Sequence, residues 1–172
     1  MSRIEPYLAR LYRYAFSLCR DEDNAKDLVQ QCALKALGAR SVPEDEAAYR
    51  SWLFVILRNA LIDDTRRRKA ADAMLEAKTT QENSPGREFW GGDERLINIL
   101  SVKQAMAKLS ENDRDIIGLV DLAGLSYAEA ATVLDIPVGT VMSRMSRARG
   151  RLLTLLEHSN VTPLSVRRHQ RK

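Results

Sequence analysis

The chain has 172 residues, of which 45% are hydrophobic and 29% are charged, with a formal net charge of +4 and a pI near 9.2. These values are typical of one or two globular domains, and a small basic excess matters where it is clustered, because a local positive patch attracts phosphate. No secretory apolar region opens the chain and no segment approaches the about 18 apolar residues that span a bilayer, so we expect a cytoplasmic protein.

The residue types that carry enzyme or metal chemistry are not grouped in this sequence. Cys19 and Cys32 lie in apolar periodic segments, which favours small core residues over the alternative, a disulfide or redox switch. Asp63 and Asp64 are adjacent on a predicted helix and point about 100° apart, so they do not form a carboxylate dyad. Without a nucleophile–base pair, a glycine-rich phosphate loop or a metal-ligand cluster, we predict no enzyme, no metal and no cofactor.

Hydrophobic periodicity predicts three helices in the first part of the chain. The first covers residues 4–20. The second follows an N-cap at Asp21 or Asp23 and ends at Gly38. A loop with Pro43 precedes the third helix, which covers residues 49–69.

Residues 78–94 are polar and contain prolines and glycines, a composition typical of a linker. We therefore predict a domain at 1–72, a flexible linker at 73–94, a second domain at 95–160 and a basic tail at 161–172. Phe89 and Trp90 are unusual in a linker. They either fold back onto one domain or anchor a partner protein.

The second part of the chain also shows only helical patterns, which makes the predicted fold class all-α. A helix covers about 94–109, and the next begins after an N-cap at Ser110 and ends at Gly124. Ser126 and Glu129 have the spacing of a capping box, which predicts a short helix to about residue 134. A turn with a proline then precedes a longer helix that ends near residue 157.

The last helix is amphipathic in a way that indicates DNA binding. A core-facing stripe is predicted for Val138, Val141, Met145, Ala148 and Leu152. The opposite face carries Thr140, Ser143, Arg144, Arg147 and Arg151, and Arg149 lies beside the stripe and is expected to reach sideways. A short helix, a turn and such a helix form a helix-turn-helix, whose second helix enters the major groove. The alternative is a helix with a solvated basic face.

Two further faces indicate binding in the first part of the chain. On the second helix the buried stripe is predicted as Ala25, Leu28, Val29, Cys32 and Ala36. The opposite face carries Asp27, Gln30, Gln31 and Leu34, which suits a protein–protein patch with an apolar centre and a polar rim. The third helix combines Trp52, Arg58, Asn59 and Asp63, residue types that bind single-stranded nucleic acid, although Trp52 is expected to be a core residue rather than a stacking platform.

Together these segments resemble the extracytoplasmic-function (ECF) sigma factors of bacterial RNA polymerase, members of the sigma-70 family. The residues that carry the resemblance are DNAKDLVQQCALKAL (23–37), YRSWLFVILRNALIDDTRRRK (49–69) and LSENDRDIIGLVDLAGLSYAEAATVLDIPVGTVMSRMSRARGRL (109–152). The resemblance covers about 150 residues in the family's order. It implies a sigma-2 domain that binds core polymerase and opens the −10 element, and a sigma-4 domain that reads the −35 element as duplex.

The resemblance also implies roles for particular residues. Asp27, Leu28, Gln30 and Gln31 match the segment that grips the polymerase. Because the helical projection makes Leu28 a core residue, we expect contact through Asp27, Gln30, Gln31 and Leu34. The −10 strand would meet Arg58, Asn59, Asp63, Arg66 and Arg67, and the loop 38–48 would capture a flipped base. The −35 element would meet Ser126, Tyr127, Thr140, Ser143, Arg144, Arg147 and Arg149.

The resemblance implies three partners: core RNA polymerase, promoter DNA and, by analogy, an anti-sigma factor. The alternative is a stand-alone helix-turn-helix regulator that uses its first half for dimerisation. Two features depart from the family pattern, because Met142 replaces a frequent basic residue and Glu44, Asp45 and Glu46 bring acids into a DNA-facing loop. The tail at 165–172 is either a phosphate-binding arm or a solubilising end.

Overall fold

The computed structural model describes residues 2–75 and 94–158, and every regular element in these ranges is a helix. The first three helices are α1 (Leu8–Cys19, after a 3-10 turn at Glu5–Tyr7), α2 (Glu22–Leu37) and α3 (Glu46–Leu75). The others are α4 (Glu94–Lys108), α5 (Glu111–Ile117), α6 (Tyr127–Leu134) and α7 (Val138–Glu157). The all-α prediction is confirmed. Phe89, Trp90 and the basic tail lie outside the described residues.

The first three helices form the N-terminal half, residues 2–75. Asp21 is the N-cap of α2, and its side chain accepts a hydrogen bond from the backbone N–H of Asn24 at 2.7 Å. Four of the five predicted stripe residues of α2 are buried, and Val29 is half-buried. Trp52 is half-buried and packs against the core, as expected.

Helix α3 is longer than the predicted 49–69 at both ends. It begins at Glu46 because the Asp45 carboxylate accepts a hydrogen bond from the backbone N–H of Ala48 at 2.8 Å, which satisfies a donor of the first turn. It continues to Leu75 because residues 70–75 are mostly alanine, leucine and methionine, which are strong helix formers.

The C-terminal half, residues 94–158, contains the predicted helix-turn-helix. Ser110 caps α5, and Ser126 and Glu129 form the predicted capping box at the start of α6. Helix α5 continues as a π-helical turn at Gly118–Leu122, a feature that the sequence pattern does not predict. The turn ends at Gly124, whose φ of +69° is accessible to glycine without strain.

Buried side chains of the two halves belong to one hydrophobic cluster. Helices α1 and α3 pack against α5, the π-helical turn and α6. The two halves approach closely at Gly118, where a Cβ atom would lie 2.8 Å from Ser17 Oγ and 2.9 Å from Tyr14 Cδ2. In this arrangement the absence of a side chain at Gly118 lets the π-helical turn lie directly on α1.

Candidate nucleic-acid interface

Helix α7 divides into a packed face and a solvent face. Val141, Met145 and Ala148 are buried and Leu152 is half-buried, as the periodicity predicts. Val138 was expected in the same stripe, but it is 43% exposed. It is the first residue of α7, directly after the N-cap Pro137, so it lies at the end of the stripe and not within it.

The solvent face of α7 contains two arginines that are not neutralised. Ser143, Arg144 and Arg147 are exposed and Thr140 is half-buried. The Ser143 hydroxyl donates to the Thr140 carbonyl at 3.1 Å, and Arg147 Nε donates to the Ser143 carbonyl at 3.2 Å. Within residues 2–75 and 94–158, no ion pair is found for Arg144 or Arg147. Their guanidinium groups are therefore available to an external anion.

The other two arginines of the basic segment are neutralised by acids of the same half. Arg149 reaches sideways, as its position predicts, and donates to the Asp121 carboxylate at 2.6 and 3.2 Å. This pairing raises the pKa of Arg149. Arg151 donates to Asp113 at 2.5 and 2.7 Å, and this pairing, together with the Ser110 hydrogen bond, lowers the pKa of the mostly buried Asp113 carboxyl.

The helix preceding α7 is fixed by its caps. The backbone N–H and the hydroxyl of Ser126 both donate to Glu129 Oε2 at 2.8 Å, so the exposed Ser126 is held in position. Tyr127 is half-buried, and its hydroxyl accepts from Arg149 at 3.4 Å. Asp135 has a left-handed φ of 53° in the turn before Pro137. These contacts fix the geometry of the helix-turn-helix.

On α3 the predicted strand-binding residues do not all share one environment. Asn59, Asp63, Arg66 and Arg67 are exposed. Arg58 is half-buried, and its Nε donates to Asp115 of α5 at 3.0 Å. Asp115 is a contact that the sequence analysis missed, because the two residues are distant in sequence and no periodicity links them.

Two of the three acids at 44–46 are held by hydrogen bonds, although both remain exposed to solvent. Asp45 caps α3, and Glu46 accepts hydrogen bonds from the hydroxyl of Tyr7 and from the Arg3 guanidinium at 2.9 Å. Arg3 also donates to the carbonyls of Pro43 and Glu44 at 2.7 and 2.8 Å. The loop is therefore tied to the N-terminus, and two of its carboxylates are already occupied.

The exposed face of α2 has the predicted pattern. Leu28 is buried, whereas Leu34 is 71% exposed. The polar residues around Leu34 are also exposed: Asp27, Gln30 and Gln31. These four residues, the α2 patch, form an apolar centre with a polar rim on the surface of the N-terminal half.

Comparison with known proteins finds sigma-factor relatives for both halves of the chain. Residues 3–71 match a sequence model described as Sigma-70 region 2, and residues 99–152 match one described as Sigma-70, region 4. The ECF RNA polymerase sigma factor EcfG of Rhodopseudomonas palustris is 34% identical over 148 residues, which cover 85% of this chain and 78% of the relative. This chain belongs to the ECF sigma factors.

Two further relatives agree with that assignment. The ECF RNA polymerase sigma factor SigL of Mycobacterium tuberculosis is 34% identical over 159 residues, covering 92% of this sigma factor and 89% of the relative. Among solved structures, the sigma factor RpoE of Bartonella quintana, in complex with the anti-sigma factor NepR, has a TM-score of 0.73 at 30% identity and covers 91% of this chain and 96% of that chain.

Family membership settles the class of function. This sigma factor is a transcription initiation factor, with core RNA polymerase and promoter DNA as partners, and not an enzyme. The stand-alone regulator is therefore set aside, because the region 2 match covers nearly all of the described N-terminal half. In residues 2–75 and 94–158, no helix is long and apolar enough to cross a bilayer.

Proposed function

We propose that the two halves of this sigma factor perform different parts of initiation. A domain at 1–72 docks core polymerase through the α2 patch and handles the −10 strand. A domain at 95–160 reads the −35 duplex. Residues 73–94 connect the two domains, and the cytoplasm, where polymerase works, is the compartment of the whole chain.

The solvent face of α7 is the observation that carries the proposal. Arg144 and Arg147 are exposed without an acidic partner in the described part of the chain, and Ser143 and Thr140 lie beside them. Arginine binds guanine edges or phosphates, and hydroxyl groups bind either. Ser126 and Tyr127 of α6 support this helix. Arg149 would contact the DNA backbone at the edge of the groove once its ion pair with Asp121 is released.

The −10 element would be handled by α3 and the loop before it. Exposed Asn59, Asp63, Arg66 and Arg67 offer amide, carboxylate and guanidinium groups along the outer side of α3, and Arg58 joins them when its contact with Asp115 is released. The loop 38–48, tied down by Arg3, supplies the pocket for an unstacked base. Unstacking costs a few kcal/mol, which such a pocket offsets.

Control by an anti-sigma factor fits the arrangement of the two halves. The relative of known structure that is 30% identical is bound to an anti-sigma factor. The α2 patch and the solvent face of α7 are both exposed here, so a protein partner could cover them at the same time. We propose a protein inhibitor of this kind for the present chain.

Transcription in vitro with core polymerase and a promoter library tests the proposal. Arg147→Ala should lower promoter-dependent transcription while binding of core polymerase is unchanged. The double variant Asp27→Ala, Gln31→Ala should weaken binding of core polymerase and leave the structure of α7 unchanged. Loss of core binding in the Arg147 variant, or unchanged core affinity in the α2 variant, would overturn the assignment of tasks to the halves.

A further inference from the structure

Hydrogen bonds join the two halves, with donors on α1 and α3 of the N-terminal half and acceptors in the C-terminal half. We propose that Asp115 is a latch that holds the two halves together in the free chain and withholds Arg58 from the −10 strand. This inference rests on the proposed contact of Arg58 with −10 DNA. Its structural part, a closed state maintained by Asp115, can be tested separately.

Asp115 makes two contacts across the boundary, and its side chain is 14% exposed. One carboxylate oxygen accepts from the buried Tyr14 hydroxyl of α1 at 2.5 Å, and the other accepts from Arg58 Nε of α3 at 3.0 Å. Burial and the nearby carboxylate raise the pKa of Tyr14, so its hydroxyl remains a donor throughout the neutral range. One carboxylate therefore ties α5 to two helices of the other half.

Two further arginines of the N-terminal half support the same closed arrangement. Arg10 of α1 donates to the carbonyls of Ala123 and Gly124 at 2.5 and 2.6 Å, at the end of the π-helical turn. Arg50 of α3 donates through Nε to Glu129 of α6 at 2.6 Å. The Glu129 carboxyl also completes the α6 capping box, so the second ion pair is joined directly to the helix-turn-helix.

The closed arrangement also depends on the size of one residue. A Cβ atom at Gly118 would lie 2.8 Å from Ser17 Oγ and 2.9 Å from a Tyr14 ring carbon, closer than real Cβ atoms approach other atoms. Gly118 has helical backbone angles, with φ of −58° and ψ of −45°. Alanine would therefore suit the local backbone and clash only across the boundary.

Closure affects the three proposed binding surfaces differently. The α2 patch is exposed, and so are Arg144 and Arg147 on α7. Arg58, in contrast, is half-buried and ion-paired. The closed chain can thus present the α2 patch and the solvent face of α7 while Arg58 is withheld from the −10 strand. Opening of the latch is then a separate step of initiation that precedes capture of the −10 strand.

Energy transfer between dyes on the full chain measures closure directly. The dyes are attached at Glu22→Cys on α2 and Glu157→Cys on α7, both exposed positions. Burial raises the pKa of the native thiols, that of Cys32 to about 12, so the introduced exposed thiols react first at neutral pH. Wild type is expected to show one short, narrow distance distribution.

Asp115→Asn removes the charge but keeps the shape, and should raise the ratio of open to closed molecules about tenfold, the scale of a lost charge-assisted hydrogen bond. Asp113→Asn is the matched control, because Asp113 lies two residues away on α5 and pairs within its own half. Gly118→Ala should open the chain by steric clash alone. Both opening variants should bind a single-stranded −10 oligonucleotide more tightly than wild type, and adding Arg58→Ala should cancel that gain.

Three outcomes would overturn the inference: a wild-type chain that is already open, an Asp115→Asn chain that stays as closed as wild type, or an Asp113→Asn chain that opens equally. If Asp115→Asn opens the chain without a gain in strand binding, Arg58 is not withheld, and the second part of the inference is wrong. Transcription by wild-type protein reports on the proposed function independently. If the wild-type chain is closed but does not support transcription, the proposed function is wrong and the latch is not.

Discussion

Replacing Arg144 and Arg147 together by alanine should weaken promoter binding and reduce its dependence on salt. The structure singles out these two residues, because the neighbouring arginines of α7 are already neutralised: Arg149 by Asp121 and Arg151 by Asp113. Of the four arginines of α7, only these two can displace counterions from DNA without first breaking an ion pair within the protein.

The size of the effect follows from the number of free cations. Each phosphate that a protein neutralises contributes about 0.9 to the slope of log affinity against log salt, so losing two contacts should reduce the slope by about 2. Where an arginine reads a base edge instead, its removal should cost about 1–3 kcal/mol of binding free energy and relax specificity at that base pair.

The assay is binding of reconstituted polymerase holoenzyme to a promoter duplex across a series of salt concentrations. Arg151→Ala is the matched control: it removes the same charge from the same helix, but its partner is Asp113 within the protein. That variant should lower the thermal stability of the chain and leave the salt slope nearly unchanged. A double variant with the wild-type slope and affinity would refute the reasoning, and so would an Arg151 variant with an equal loss of slope.

Three further predictions concern stability. Because Met145 is fully buried, Met145→Ala should lower the free energy of unfolding in urea by about 2–5 kcal/mol. Met142 is 54% exposed, so Met142→Ala should change that free energy by less than about 0.5 kcal/mol. Equal effects of the two substitutions would mean that the faces of α7 are assigned wrongly. Ser126→Ala should cost about 1 kcal/mol in the same assay through loss of the α6 cap, and no loss would argue against the capping box. Acid should destabilise the chain through Asp113 and Glu129. Arg151 lowers the pKa of the first; for the second, burial opposes the shift, but hydrogen bonds from Ser126 and Arg50 outweigh it. The stability that these two carboxylates contribute is fully present above their unfolded pKa values and is lost as the pH falls through their lower folded pKa values. The melting temperature should therefore decrease when the pH is lowered below about 4, and this decrease should be smaller in Asp113→Asn.

The local features of this fold could be predicted because short segments determine them. Local sequence predicts Ser110 and Ser126 as caps and Asp21 as one of two candidates for the α2 cap, and each of the three accepts the expected backbone hydrogen bond. The stripes of α2 and α7 follow from a period of 3.6 residues, and they fail only at the margin, at Val138. The π-helical turn at Gly118–Leu122 was missed because it forms where the chain meets α1, and no pattern within the turn encodes that contact.

The charges of the proposed interface could not be predicted in the same way. Helical projection correctly put Arg149 beside the packed stripe of α7. It says nothing, however, about an acid 28 residues earlier that neutralises this arginine, or about Asp115, 57 residues after Arg58. Counting arginines on a face therefore overstates the charge that the face offers to DNA. In α7 the number of arginines available to DNA falls from four to two. In α3, Arg58 is unavailable only while the closed state lasts. The same sequence can therefore present different amounts of positive charge to the −10 strand before and after the halves separate.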